Sequence, residues 1–205
     1  MNNFYRQFIS HITVVYVVVL SHDITEEPQR NSKKLNSLCE CVPSNLSKRQ
    51  IDELAQKAYF VLEADTNPIE QIIVNKISGK IVYQPLDELF ISGTLVVKNS
   101  EPTIFVNSYE PYQRRRFTLA HELGHYILHS NFGSKDITIN RSGESERIEW
   151  EANWFAAGFL MPRDKFIEEY RKNPDTFYLS SQFKVSISAI NYRIKFLKEA
   201  GLLSE

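Results

Sequence analysis

Residues 117–129 read Phe-Thr-Leu-Ala-His-Glu-Leu-Gly-His-Tyr-Ile-Leu-His. Within them His121 and His125 stand four apart, with Glu122 beside the first. On a helix, positions i and i+4 share a face. Two imidazoles at that spacing can grip one Zn²⁺, and the glutamate can act as general base toward the water such a site activates. The plain alternative is two histidines and a glutamate on a solvated helix face. At about 100° per residue, Thr118, His121, Glu122, His125 and His129 fall within an arc of roughly 100°. Phe117, Leu119, Ala120, Leu123, Gly124, Ile127 and Leu128 cover most of the remainder. A polar stripe on so apolar a helix belongs in an interior cleft.

Two histidines leave a zinc site incomplete, because a catalytic zinc usually has three protein ligands and one open position. His129 continues the same helix, and eight residues rise about 12 Å. It cannot join His121 on one ion at ligand distances of about 2 Å, so it is expected to support a ligand or cap the helix. A second stretch, Glu149-Trp-Glu-Ala-Asn-Trp-Phe-Ala-Ala-Gly-Phe-Leu-Met-Pro162, offers more. Ala152, Phe155, Ala156, Phe159 and Leu160 form an apolar arc, and Glu149 falls inside it. A carboxylate there is costly unless paired or metal-bound. Glu149 is therefore the candidate third ligand, with an ion pair to a nearby arginine as the alternative. Asn153 lies one turn on and can fix the tautomer of a ligand histidine. Glu151 falls on nearly the opposite side and is expected to stay solvated.

The elements that must position these residues follow from pattern. Ser47 can cap a helix over Lys48–Ala64, where Ile51, Leu54, Ala55, Ala58, Val61 and Leu62 keep helical spacing. A second helix is expected after Pro68, ended by Gly79. Residues 80–84, 94–98 and 103–107 read as strands, the last two joined through Asn99-Ser-Glu-Pro102. Arg114-Arg-Arg116 leads into the histidine helix, and 130–147 reads as a polar loop. The class is α+β.

Composition bounds the function. The 205 residues are 42% hydrophobic and 24% charged, with net charge −1. That is ordinary for a soluble globular protein and makes no global case for nucleic acid. Cys39 and Cys41 form no disulfide framework, and free thiols in a reducing, cytoplasmic setting are expected. The apolar run within residues 8–20, densest at 12–20, is too short for a membrane helix, which needs about 20 residues. A single Arg6 precedes it and no A-x-A-like cleavage site follows, so no membrane association is expected. Residues 1–47 are expected to form a leader or linker, disordered in part, with no role assigned.

The paired stretches Arg116-Phe-Thr-Leu-Ala-His-Glu-Leu-Gly-His125 and Glu149-x-x-Ala-Asn-x-Phe-Ala-Ala-x-x-Leu-Met-Pro162 resemble the ImmA/IrrE family of zinc metallopeptidases. The resemblance covers roughly Lys48 to the C-terminus. It implies a zincin-like helical core around a small antiparallel β-sheet in residues 48–162. It implies Zn²⁺ held by His121, His125 and Glu149, with Glu122 as base. It also implies a specific protein substrate, namely a transcriptional repressor, encoded nearby, of a bacterial mobile element or stress response. Gly158 stands where an acidic residue is common in the family. Tyr109, Tyr112 and Arg116 are all candidates for substrate or oxyanion contacts.

Residues 163–205 read as three short helices, and Phe183 to Arg193 resembles a helix-turn-helix. From Arg163 to Lys198 eight Lys/Arg face four Asp/Glu, a net of +4. Such a segment can contact DNA, hold a repressor substrate or simply pack on the core. The rival reading of the whole chain is a non-proteolytic DNA- or partner-binding regulator, such as a toxin–antitoxin component, with a structural metal site.

Overall fold

The chain enters its first helix through a reciprocal cap. Ser47 Oγ accepts from Gln50 N and the Gln50 side chain accepts from Ser47 N, which satisfies two amides that the helix start leaves open. The computed structural model describes residues 41–86, 92–139 and 146–203. All of these fall in one compact unit, Leu38–Glu205. The apolar run at 8–20, Cys39 and most of the expected leader lie outside the described residues.

Helix α1 spans Lys48–Val61 and buries Ile51, Leu54, Ala55 and Ala58, the positions its periodicity picks out. Helix α2 begins as Ile69–Gln71 and widens into a π turn over Ile72–Lys76. Ser78 takes the left-handed conformation, φ 56°, where glycine was expected to end the helix.

Four strands follow, β1 Lys80–Gln84, β2 Gly93–Lys98, β3 Glu101–Asn107 and β4 Ile137–Ile139, in the order β1-β3-β2-β4. The sheet is mixed, not antiparallel as expected, because β1 joins β3 in parallel. The tight hairpin puts β2 on one edge of β3, and β1 takes the other edge. That hairpin needs only Asn99 and Ser100 at its tip, with φ of 52° and 68°. Two left-handed residues match the twist of the strands they join. Glu101 and Pro102 thus belong to β3, with Pro102 opposite Val97. Strand β4 lies in the expected polar loop. Its Ile137-Thr-Ile139 alternation is too short to stand out in sequence, yet it pairs with Leu95–Val97.

The sheet presents Leu95, Val97, Ile104, Val106, Ile137 and Ile139 to the interior. Helix α3, Tyr112–Leu128, lies across β2 and β3, and helix α4, Glu146–Leu160, packs on both α3 and α1. Two glycines set these approaches. A Cβ at Gly124 would lie 3.2 Å from Phe155 Cβ and 3.3 Å from Ala152 Cα. A Cβ at Gly158 would lie 2.9 Å from both Ala55 Cβ and Asp52 Oδ1. Side chains larger than hydrogen would push α4 off its neighbours.

Helices α5 (Arg163–Lys172), α6 (Thr176–Phe183) and α7 (Ile187–Glu199) complete the described chain. Asp175 and Ser186 cap the last two, accepting from Tyr178 N and Ala189 N. Arg193 of α7 is buried and pairs with the buried Asp52 of α1. Among the described residues, no helix is long and apolar enough to cross a membrane.

Gly158→Ala tests the α1–α4 approach. Neither Ala55 nor the α1 backbone can yield cheaply, so overpacking should cost about 1–3 kcal/mol. Urea unfolding measures it, and a neutral result would show that the two helices do not meet closely at this point.

Candidate metal centre

Helix α3 runs unbroken through His121, Gly124 and His125, has no proline inside it, and is closed by His129 as C-cap. Its sheet-facing and α4-facing sides are apolar, so the histidines are drawn inside. His121, Glu122 and His125 are at most 2% exposed. The two Nε2 atoms lie 3.0 Å apart. Glu149 of α4 reaches them, with Oε2 3.3 Å from His121 Nε2 and Oε1 3.3 Å from His125 Nε2. One ligand atom from each of the three residues falls within 4.8 Å of the others.

Two further contacts fix which nitrogens face the centre. Asn153 Oδ1 lies 3.1 Å from His121 Nδ1, and His129 Nδ1 lies 2.9 Å from His125 Nδ1. Both Nδ1 atoms are thus engaged away from the centre, and both Nε2 atoms point into it. Two imidazole nitrogens and a carboxylate meeting this closely form a borderline-hard donor set that suits Zn²⁺. His121, His125 and Glu149 would hold the ion, and the buried surroundings would keep competing ligands out.

Electrostatics agree with that donor set. Burial pushes His125 down to about 3, against the opposing hydrogen bond to the Glu149 carboxylate, so the ring is neutral. Burial works against the Glu149 anion, but hydrogen bonds from His121 and His125 hold its carboxyl well below the ordinary range. Neutral imidazole and ionised carboxylate are the forms that bind metal.

Glu122 sits on the same turn as His121, beside the start of β2. A Cβ at Gly93 would lie 3.0 Å from Glu122 Oε1 and 2.4 Å from Thr118 Cγ2. Gly93 therefore makes the room that the Glu122 carboxylate uses. Nothing in its sequence context pointed to it, since a lone glycine at a strand start is usually a turn signal.

Glu151 is placed very differently from its expected solvated position, being fully buried. The helical wheel assumed one buried face, whereas α4 is covered on two. On its second face Glu151 accepts from Ser44 N at 2.8 Å and from Arg147 Nε at 2.8 Å, and it meets His129 Nε2 at 3.1 Å.

The three candidates for oxyanion or substrate contact are dispersed. The Arg116 guanidinium donates to the carbonyls of Phe183 and Lys184 at 2.7 and 3.0 Å. It thereby caps the end of α6, and with Tyr112 it lines a polar pocket of about 550 Å³ that none of the ligand residues borders. Tyr109 is exposed on the turn before α3. A second cleft, of about 760 Å³, is not lined by the ligand residues either, but it reaches the centre through Asn153, the contact of His121. Asn153 lies on its wall, as does Phe117, whose ring stands 6.5 Å from the His121 ring. Trp150, Trp154, Val185 and Tyr192 line it further.

The family model for the IrrE N-terminal-like domain, Peptidase_M78, matches residues 80–195. The chain belongs to this family. The matched interval takes in every residue of the centre and runs into α7. A Mycobacterium tuberculosis transcriptional regulator of known structure shares the fold, with a TM-score of 0.55 and 16% identity. The alignment covers 74% of this chain and 47% of that protein, so this chain spans about half the length of that relative. No curated protein matches the chain.

The folded His125 binds its proton only near pH 3, while the unfolded ring does so near 6.5. Between those values the unfolded state holds the extra proton, so stability falls as pH drops through the window. The melting temperature of metal-free protein should decline from about pH 6.5 downward and be less steep in His125→Gln. Equal slopes for the two proteins would contradict a neutral buried His125.

Proposed function

We propose that this chain is a zinc-dependent endopeptidase that cleaves a specific protein substrate, a transcriptional repressor of a bacterial mobile element or stress response. The observation that carries it is the convergence of His121, His125 and Glu149, with the buried Glu122 next to His121 in the chain. A structural metal site needs no carboxylate base at that position. Membership of a peptidase family supports the reading.

Zinc, when bound, would supply Lewis acidity to polarise the scissile carbonyl and activate water. The protein's own groups do the rest. Glu122 takes a proton from the attacking water and delivers it to the leaving amine. The low-dielectric surroundings of the centre strengthen every charge interaction in that transfer. The second cleft, with Trp150, Trp154 and Tyr192 on its walls, would hold the substrate chain. Val185 and Tyr192 come from the C-terminal segment, which supports a recognition role for residues 163–205. A DNA-contact role gains less support, since Arg193, one of the eight cations counted there, is buried against Asp52.

Glu122→Gln should retain zinc after dialysis yet lose cleavage of a repressor encoded near this gene, because the ligands remain while the base is gone. Zinc analysis and mass spectrometry of the repressor read the two outcomes. Cleavage at the wild-type rate by the zinc-loaded variant would sink the mechanism. Absence of cleavage by wild type over a panel of neighbouring repressors would favour the regulator reading. Gly93→Ala is the second test. Its added methyl crowds the Glu122 carboxylate, and a displacement of about 1 Å can cost on the order of 10²-fold in rate. The expected result is a lower kcat with zinc content unchanged.

A further inference from the structure

We propose that His129 and Glu151 form a positioning chain that presets His125 as a metal ligand. This inference rests on the metal reading of the centre. It starts from two buried residues that the ligand set does not use. His129 is the C-cap of α3 and is 4% exposed, and Glu151 is completely buried on α4.

The order of contacts is unbroken. Glu151 Oε2 meets His129 Nε2 at 3.1 Å, His129 Nδ1 meets His125 Nδ1 at 2.9 Å, and His125 Nε2 points at His121 and Glu149. A metal on His125 Nε2 requires that this ring carry its proton on Nδ1. His125 Nδ1 then donates to His129 Nδ1, and His129 donates from Nε2 to the Glu151 carboxylate, which can only accept. The chain thus offers a buried acceptor for the proton that a metal-bound His125 must carry. Arg147 and the Ser44 amide hold Glu151 on its other side, and Arg147 in turn donates to Leu46 O at 2.6 Å. The terminus of the chain is anchored to the segment that precedes α1.

The two ligand histidines are therefore oriented by different means. His121 rests on an amide, Asn153, which has both donor and acceptor ends. His125 rests on a chain that ends in a carboxylate, an acceptor without a donor. Outer-shell partners of this kind are typically worth 10–100-fold in metal affinity.

The test uses the full chain with ¹⁵N-labelled histidine. Long-range proton–nitrogen correlation spectra report the tautomer of each ring in zinc-loaded protein, and competition with a chelator reports zinc affinity. Wild type should show His125 protonated on Nδ1 and His129 on Nε2. Glu151→Ala should mix the two His129 tautomers and weaken zinc binding about 10–100-fold. Glu151→Gln keeps an acceptor of the same shape and should restore most of the affinity. Should Glu151→Ala fail to fold, His129→Gln carries the test, because it leaves the Arg147 and Ser44 contacts in place. Unchanged zinc affinity in a folded Glu151→Ala or His129→Gln, or a wild-type His129 protonated on Nδ1, would overturn the proposal. If wild type binds no zinc, the metal reading fails and the positioning chain with it; wild-type zinc binding that the variants match removes the positioning chain alone.

Discussion

The whole centre depends on how closely α3 and α4 can approach. Packed helices usually lie 8–10 Å apart, the distance being set by the side chains at the contact. Here the contact is made by Gly124 on one side and by Ala152 and Phe155 on the other. Gly124 lies between His121 and His125 in sequence, and Ala152 lies between Glu149 and Asn153. The approach that removes space at Gly124 therefore brings Glu149 to both Nε2 atoms and Asn153 to His121 Nδ1. Ligand geometry and helix packing are one constraint here. Gly158 repeats it on the opposite face, where α4 meets Ala55 and Asp52 of α1.

That double approach explains what the sequence could and could not disclose. His121, Glu122 and His125 were legible because their spacing is itself the helix period. Glu149 and Asn153 were legible because a carboxylate and an amide stood in or beside an apolar arc. Glu151 was misplaced because periodicity describes one buried face, and α4 has two. Which element covers a second face is a tertiary fact, and here it includes Ser44, some hundred residues earlier. The parallel pairing of β1 was hidden for the same reason, since neighbours in a sheet are not written in local pattern. Strand β4 was hidden by brevity. Gly93 was hidden because its importance lies in what stands opposite it.

The basic residues illustrate how far charge counting carries. Arg114, Arg115 and Arg116 read as one cluster, yet each meets a different partner. Arg114 Nη2 donates to Ser92 Oγ, the Arg115 guanidinium lies 5.5 Å from the Tyr83 ring, and Arg116 caps α6. Burial lowers the Arg116 pKa but leaves a guanidinium charged, so its contacts to two carbonyls are charge-assisted. Those contacts hold the α6–α7 turn against the start of the histidine helix. Val185 and Tyr192 are thereby kept on the wall of the cleft beside the centre. An arginine next to the histidine motif can thus act by fixing a wall of a cleft rather than by facing into it.

The family match begins at residue 80, but the physical unit begins earlier. Arg193, inside the matched interval, is buried, and its countercharge is Asp52 of α1. Burial pulls its pKa down and Asp52 opposes that pull. Removing one partner of a buried ion pair typically costs about 3–5 kcal/mol. Glu151 would likewise lose the Ser44 amide, and Arg147 would lose its contact with Leu46 O. Against a total stability of about 5–15 kcal/mol for a typical domain, those losses are comparable to the whole margin. Gly158 sits at the same contact with α1. At that position this chain has no side chain, and Asp52 of α1 reaches the space a Cβ would take. Residues 41–62 therefore supply charge and hydrogen bonds to Glu151, Arg147 and Arg193, groups that sit within the matched interval.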